Sequence, residues 1–222
     1  MDQSPPIEAL PLDLGGVVID IDMQRAVRHW EPLSSLSRAQ LQQRFTVDEA
    51  LRQYESGEID TAAYVAHLRQ EFELHASDSA IVAGWNAILV GEIEPALQAV
   101  VAAHTHLPCY AFSNTSPAHQ IAWSSAFPRV ATAFDRLFLS FEIGARKPDI
   151  AAFRLVTDAI GKDANRVLFF DDTPANVLGA RDAGLRFDDE SLEYVVTNRD
   201  LLELSPKVMI PTLYDYWVHD VE

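Results

Sequence analysis

Four short apolar runs predict the strands of a sheet, at residues 7–14, 107–112, 137–141 and 167–170. The segments between the later runs carry apolar residues at helical spacing, and several have a proline in the position that suits the first turn of a helix. From about residue 93, strand and helix therefore alternate. This alternation predicts an α/β fold with a doubly wound, Rossmann-like parallel sheet and helices on both of its faces.

Residues 23–92 have a different pattern, which predicts helices alone. Residues with the chemistry of N-caps predict helix starts at Ser37, Thr46, Asp60 and Ser77. There is no convincing strand in this stretch, and it is too long for a single crossover connection. We therefore expect an α/β core formed by residues 1–22 and 93–222, with residues 23–92 inserted as a helical cap.

The charge and composition of the chain indicate which kinds of molecule it can bind. The chain has 222 residues with 17 basic and 33 acidic side chains, and its net charge of −16 opposes binding to nucleic acid or to an anionic membrane. It contains no apolar run long enough to span a bilayer, and its single cysteine, Cys109, excludes an internal disulfide. We therefore expect a soluble, cytoplasmic protein. An anionic substrate would need a local cation to offset the negative field.

Polar residues follow each predicted strand, namely Asp13, Ser113 with Asn114, Lys147, and Asp171 with Asp172. Because the carboxyl ends of parallel strands share one edge of a sheet, these side chains are expected to meet. Asp13 and one of the paired carboxylates suit a hard cation such as Mg²⁺, which binds carboxylates, water and phosphate oxygens. Lys147 can offset the charge of an anionic group, as phosphoryl transfer needs. Asp13 is then free to attack and form an aspartyl-phosphate, which water hydrolyses in a second step.

The order and chemistry of these residues resemble the haloacid dehalogenase superfamily of hydrolases. The first motif of that family, D-x-D-G-[TV], is matched by D-L-G-G-V from Asp13, and the second, a Ser or Thr at a strand end, by Ser113 in F-S-N-T. The third, E-x-G-x-x-K-P-D, is matched in full around Lys147, and the fourth by D-D-T-P-A-N from Asp171. The predicted cap lies between the first two motifs, as in the family, so the resemblance covers nearly the whole chain.

The resemblance implies a magnesium site. Asp13 would be both the nucleophile and a metal ligand, and Gly15 would bind Mg²⁺ through its backbone carbonyl. Asp172 would be the acidic ligand of the metal. Asp171 would lie behind it, where it could orient Lys147 or a metal-bound water.

The resemblance also implies a phosphorylated substrate. Ser113 and Asn114 would contact the phosphoryl group, and Lys147 would be its counter-charge. Several of the matched stretches are similar to a bacterial branch that includes a phosphatase acting on α-D-glucose 1-phosphate. The expected substrate is therefore a small phosphorylated metabolite, in particular a sugar phosphate.

One residue departs from the family pattern. Gly15 stands where the family has a second aspartate, which protonates the leaving group and then activates water. General acid–base help of this kind is worth roughly 10²–10⁴ in rate. Asp20 and Asp22 are candidates to replace it, although the simpler role for both is to shape the hinge of the cap.

Three functions stay open on this evidence. The first is an Mg²⁺-dependent phosphatase, which the carboxylate pair Asp171 and Asp172 favours. The second is a 2-haloacid dehalogenase that uses Asp13 without a metal. The third is a family member without catalysis that binds a phosphorylated ligand or a partner protein.

Several other residues have two interpretations. Trp30, Tyr64 and Trp85 could line a substrate pocket, but aromatic residues at helical spacing more often pack a core. Arg146, beside Lys147, could bind an anion or lie on the surface. The seven histidines are scattered, which predicts surface positions for them.

Overall fold

The computed structural model describes residues 5–186. Its strands are β1 (Leu10–Leu12), β2 (Ile19–Ile21), β3 (Leu89–Glu92), β4 (Cys109–Ser113) and β5 (Arg136–Leu139). Its first helices are α1 (Met23–Trp30), α2 (Arg38–Arg44), α3 (Glu49–Glu55), α4 (Thr61–Glu71) and α5 (Asp78–Asn86). The later helices are α6 (Glu94–Ala103), α7 (Pro117–Ala126), α8 (Pro128–Thr132), α9 (Ser140–Ile143), α10 (Ile150–Ile160) and α11 (Pro174–Asp182). None of these helices is long and apolar enough to cross a membrane.

A parallel sheet forms the centre of the core. Strand β4 lies between β1 and β5 and is parallel to both. On the other side of β1, the segment 167–170 runs parallel to it, with the amide of Phe170 donating to the Pro11 carbonyl at 3.1 Å and the amide of Asp13 donating to the Phe170 carbonyl at 2.9 Å. The carboxyl ends of all four segments therefore lie at one edge, and the predicted α/β fold with a parallel, doubly wound sheet is confirmed.

Both faces of the sheet are buried, because successive side chains of a strand point to opposite sides. In β4, Ala111 packs into a cluster with Leu97 and Trp123, while its neighbour Phe112 packs into a second cluster with Phe153. The first cluster covers one face with α6 and α7, and the second covers the other with α10. This two-sided burial explains why the strands read as continuous apolar runs rather than as an alternating pattern.

Helices α1 to α5 enclose a separate core around Trp30 and Tyr54, both of which are fully buried. The predicted caps at Ser37, Asp60 and Ser77 are confirmed, and Ser37 forms a complete capping box with Gln40. The prediction at Thr46 is wrong. Helix α3 is capped by Asp48, because its carboxylate reaches the amide of Leu51 at 2.8 Å.

The expectation that residues 23–92 contain no strand is also wrong. β3 pairs antiparallel with β2, so the two chain crossings between the core and the helical insertion form a short ribbon. The sequence Leu89–Glu92 is too short to identify as a strand by itself, and its pairing partner lies outside the insertion. We propose residues 23–92 as the cap, joined to the core by this ribbon, while residues 187–222 of the proposed core lie outside the described part of the chain.

The cap and the core also meet along α5 and α7. The ring of His119 stacks on Trp85 with centroids 4.6 Å apart, and its Nε2 lies 3.1 Å from the Trp85 carbonyl. The indole Nε1 of Trp85 donates to the hydroxyl of Ser116 at 3.4 Å. The surface position predicted for the histidines is therefore wrong for His119, because α5 of the cap covers this side of α7.

We expect this buried contact to make stability depend on pH. Burial lowers the pKa of His119 to about 4, below its ordinary value of 6.5. The folded protein then binds fewer protons than the unfolded chain between these values, so the free energy of unfolding falls as the pH drops from 6.5 towards 4. His119→Gln retains a donor for the Trp85 carbonyl but does not titrate.

Urea unfolding at neutral pH and at about pH 4.5 tests this expectation. The wild-type protein should lose roughly 2 kcal/mol more than His119→Gln between the two conditions. Equal losses in the two proteins would show that His119 does not titrate with a lowered pKa.

Candidate active site

The edge formed by the carboxyl ends of the strands brings together the acidic residues expected there. Asp13 follows β1, and Asp171 and Asp172 follow the segment 167–170. One oxygen from each of the three carboxylates lies within 4.8 Å of the others. Three negative charges this close favour a cation, and their hard oxygen atoms are the donors that Mg²⁺ prefers.

Lys147 supplies one positive charge from beneath this cluster. Its side chain is fully buried, and its Nζ lies 2.5 Å from Asp171 Oδ2, 3.1 Å from Asp13 Oδ1 and 2.6 Å from the Phe112 carbonyl. Burial lowers the pKa of Lys147, but attraction to Asp13 and Asp171 outweighs it and leaves the pKa above its ordinary value. Lys147 therefore stays charged in the folded protein.

Asp171 has its acceptor positions occupied by neighbouring donors. Besides Lys147, its carboxylate accepts from the Asn176 side-chain amide at 2.9 and 3.0 Å and from the Thr173 backbone amide at 2.8 Å. Its side chain is fully buried. This arrangement suits a residue that orients Lys147 rather than one that presents free oxygens.

Asp13 and Asp172 retain more freedom to bind a cation. Burial, with repulsion from Asp171 and Asp172, raises the pKa of Asp13 to about 7, although Lys147 opposes the shift. Loss of hydration and the charge of Asp171 raise the pKa of Asp172 to about 6. The charge of Lys147 thus does not balance the cluster, and a bound divalent cation would favour the ionised form of both carboxylates.

Gly16 makes room for the Asp172 carboxylate. Its φ is +77°, and a Cβ at this position would overlap Asp172 Oδ2. Gly161 has a similar φ of +73°, but a Cβ there would meet nothing within 4 Å. An alanine would be strained by the left-handed backbone at either position, but only at Gly16 would it also meet the acidic cluster.

Gly16→Ala is therefore expected to weaken Mg²⁺ binding by about 10- to 100-fold, the effect typical of displacing a metal-site carboxylate through its neighbours. Gly161→Ala imposes the same left-handed backbone on alanine and should leave the Mg²⁺ affinity unchanged. Calorimetric titration of both variants with Mg²⁺ measures the difference. Similar affinities in the two variants would contradict a metal site at Asp172.

The segment after β4 positions Lys147 through its backbone. The side-chain amide of Asn114 donates to the Lys147 carbonyl and accepts from the Lys147 amide, both at 2.8 Å. The second hydrogen of the Asn114 amide is not used by these two bonds, and Asn114 also lines the cavity beside the cluster, so its contact with a phosphoryl group stays a prediction. The hydroxyl of Ser113, by contrast, makes no hydrogen bond within residues 5–186 and borders a cavity beside the cluster.

That cavity has a volume of about 350 Å³ and lies between the edge of the sheet and the cap. Gly15 and Ser113 border it from the core, and Trp85 borders it from the cap. Trp30 and Tyr64, the other two aromatic candidates for the pocket, pack with Trp85 in the cap core but do not border this cavity. Helical spacing alone could not separate these three residues, because the difference depends on how the cap sits over the core.

The two aspartates proposed to replace the missing acid have other positions. Asp22 caps α1, accepting from Gln24, and pairs with Arg28, which holds the pKa of its carboxyl below the ordinary value. Asp20 is exposed on β2 and does not line the cavity. Neither placement suits proton transfer to a leaving group beside Gly15.

An ion pair that the sequence does not predict joins the core and the cap. Arg146 of the core donates to Glu55 Oε2 of the cap from two nitrogens, at 2.7 and 3.0 Å. Both side chains are about 15% exposed, and Glu55 borders the cavity. In the sequence, Arg146 adjoins Lys147. Ninety residues separate Arg146 from Glu55, so the local pattern does not indicate that these two side chains pair.

Two curated proteins are similar to this chain in sequence. A drimenol cyclase of Aspergillus calidoustus, drtB, is 32% identical over 186 residues, covering 81% of this chain but only 33% of its own length. This chain thus spans about a third of that relative. A phosphatase of Mycobacterium tuberculosis, MT3486, is 27% identical over 194 residues and 85% of its length is covered.

A solved structure and a family model are also similar to this chain. The HAD family enzyme bt-2542 of Bacteroides thetaiotaomicron, crystallised with magnesium and inorganic phosphate, is 28% identical with a TM-score of 0.73, covering 82% of this chain and 93% of that one. Residues 7–184 match the model of the haloacid dehalogenase-like hydrolases. The chain therefore belongs to the haloacid dehalogenase-like hydrolase family.

Proposed function

We propose that this hydrolase cleaves small phosphomonoesters with the help of Mg²⁺, through an aspartyl-phosphate on Asp13. The observation that carries the proposal is the cluster of Asp13, Asp171 and Asp172 around one point, with the buried amino group of Lys147 beside it. A phosphatase among the relatives, and a similar enzyme crystallised with magnesium and phosphate, support it.

The donor set fits Mg²⁺. Asp13 and Asp172 would hold the ion through their carboxylates, and Gly15 would do so through its carbonyl, which accepts no backbone hydrogen bond in the described chain. When bound, the ion supplies positive charge that offsets the phosphoryl oxygens and the carboxylates. Asp171 would act as a positioning residue for Lys147.

One oxygen of the Asp13 carboxylate, Oδ1, is held by two neighbouring groups. Oδ1 accepts from the Leu14 amide at 2.8 Å and lies against Lys147. These contacts hold the carboxylate in one orientation, so that Asp13 can attack the phosphorus in line with the leaving oxygen. The bond to the alcohol oxygen breaks, and the phosphoryl group becomes attached to Asp13.

Water completes the cycle by attacking the phosphorus, which releases inorganic phosphate and restores the Asp13 carboxylate. Lys147 would offset the phosphoryl charge in both steps, and the hydroxyl of Ser113 would donate to one of the phosphoryl oxygens. Gly15 has no side chain to protonate the leaving alcohol or to activate this water. We therefore propose that the leaving group departs without a general acid from this position.

Phosphate release from a panel of phosphomonoesters, with Mg²⁺ and with a chelator, tests the proposal. We expect turnover that depends on Mg²⁺. Halide release from 2-haloacids in the presence of chelator would instead support the dehalogenase. Binding of phosphate esters without turnover would support a family member that has lost catalysis. The sugar phosphate implied by the resemblance stays a prediction, and glucose 1-phosphate belongs in the panel.

A further inference from the structure

The cavity between the core and the cap reaches the edge of the sheet at Gly15 and Ser113 and is apolar away from that edge. Eleven of its eighteen lining residues carry apolar side chains, among them Ile21, Phe45, Leu51, Trp85 and Ile88. They come from the cap, the ribbon and the core, so the apolar character extends around the wall. The polar groups of Ser113, Asn114 and Thr115 are confined to the end that adjoins the proposed phosphoryl site.

Of the three polar side chains elsewhere in the wall, two already have partners, and the third, the hydroxyl of Thr46, makes no hydrogen bond within residues 5–186. Glu55 is paired with Arg146, and His119 is bonded to the Trp85 carbonyl. A sugar ring would place several hydroxyls in this space and leave most of them without a hydrogen-bond partner. Burying unpaired hydroxyls is unfavourable, so the wall selects against a sugar.

The mouth of the cavity is apolar as well. Met23 and Val47 line it, and their side chains are 44% and 55% exposed to solvent. Large apolar side chains that are exposed at the entrance of a concave apolar site are typical of ligand-binding grooves. Here they extend the apolar wall from the interior to the surface.

From these observations we infer that the substrate is the phosphate ester of an apolar alcohol, with its hydrocarbon part in this cavity. The inference rests on the proposed phosphatase function and names its substrate class. The phosphoryl group would lie at the acidic cluster, and the alcohol would extend between Ile21 and Trp85 towards Met23 and Val47. Each buried methylene group favours binding by about fourfold, so the length of the hydrocarbon part should govern specificity.

A series of 4-alkylphenyl phosphates tests this inference, because the alkyl group changes length while the acidity of the leaving phenol stays nearly constant. In the presence of Mg²⁺, kcat/KM should rise with each added methylene, by up to about fourfold, until the cavity is filled. Glucose 1-phosphate and glucose 6-phosphate should be the poorest substrates in the comparison.

Two matched variants show whether the cavity is responsible. Val47→Asn introduces an amide at the mouth, whereas Val101→Asn changes a valine that is also 55% exposed but does not line the cavity. Val47→Asn should reduce the preference for butylphenyl over phenyl phosphate several-fold. Val101→Asn should leave both the preference and the rate unchanged.

The outcomes distinguish an incorrect substrate class from an incorrect phosphatase function. Phosphate release that is independent of alkyl length, or faster from the glucose phosphates, would overturn the apolar substrate class while the phosphatase stands. A rise with alkyl length that both variants retain would place the hydrocarbon elsewhere and overturn the inference as well. No Mg²⁺-dependent release from any ester would overturn the proposed function, and the substrate class with it.

Discussion

Gly15→Asp is expected to raise the turnover of esters with poor leaving groups, such as alkyl phosphates, by about 10²-fold. The position borders the cavity, and the backbone can accept a side chain there. A Cβ on Gly15 would lie 3.4 Å from Ile21 Cδ1, an acceptable contact, and its φ lies outside the left-handed region. An aspartate would face the leaving oxygen and could protonate it, which nothing at Gly15 can do in the natural chain.

The dependence of rate on leaving-group acidity measures this effect directly. The wild-type rate should fall steeply from nitrophenyl to alkyl phosphates, because the departing oxygen is not protonated, whereas Gly15→Asp should give a shallower slope. Gly15→Asn is the matched control, since it has nearly the same shape but cannot donate a proton as an acid. If Gly15→Asn accelerates the alkyl esters as much as Gly15→Asp, the gain comes from packing or binding and the proposed absence of an acid is wrong.

Asp13→Asn is expected to reduce phosphate release to the uncatalysed level, a loss of about 10⁴-fold or more. An amide cannot attack the phosphorus, and it removes one negative ligand from the proposed metal site. The loss should not reflect unfolding. The substitution removes one of three mutually repelling carboxylates, and Lys147 would retain Asp171 at 2.5 Å as its partner.

Urea unfolding without Mg²⁺ should therefore give Asp13→Asn a free energy of unfolding equal to or above that of the wild-type protein. Asp20→Asn is a suitable control, because Asp20 is a nearby exposed aspartate that does not line the cavity. This variant should keep its activity. A fully active Asp13→Asn would place the nucleophile elsewhere, and an inactive Asp20→Asn would show that Asp20 takes part in catalysis after all.

Much of the acidic cluster could be predicted from the sequence because of one physical rule. Asp13 and Asp171 each end a short apolar run, and parallel strands place such ends side by side. The sheet observed between β1, β4 and the segment 167–170 therefore brings them together as expected. Lys147 reaches the same point from a loop, and its burial against both carboxylates follows from pairing of charge rather than from strand order.

Other features depend on tertiary contacts that local patterns do not contain. The bonds between the Asn114 side chain and the Lys147 backbone join two loops that are distant in sequence, so the sequence pattern does not predict them. The pairing of Glu55 with Arg146, and the burial of His119 by the cap, depend on the orientation of the cap over the core. The chemistry of the cavity wall, and hence the inferred substrate class, likewise needs the assembled fold.

The most direct test of the account is to look for the phosphoryl group on Asp13. The enzyme is mixed with an apolar aryl phosphate and Mg²⁺, quenched in acid within milliseconds to seconds, and digested for mass spectrometry. Because Gly15 provides no base to activate the second water, we expect the aspartyl-phosphate to accumulate on the peptide that contains Asp13, with a burst of phenol release. Steady phosphate release with no burst and no phosphoryl group on that peptide would contradict the covalent mechanism at Asp13.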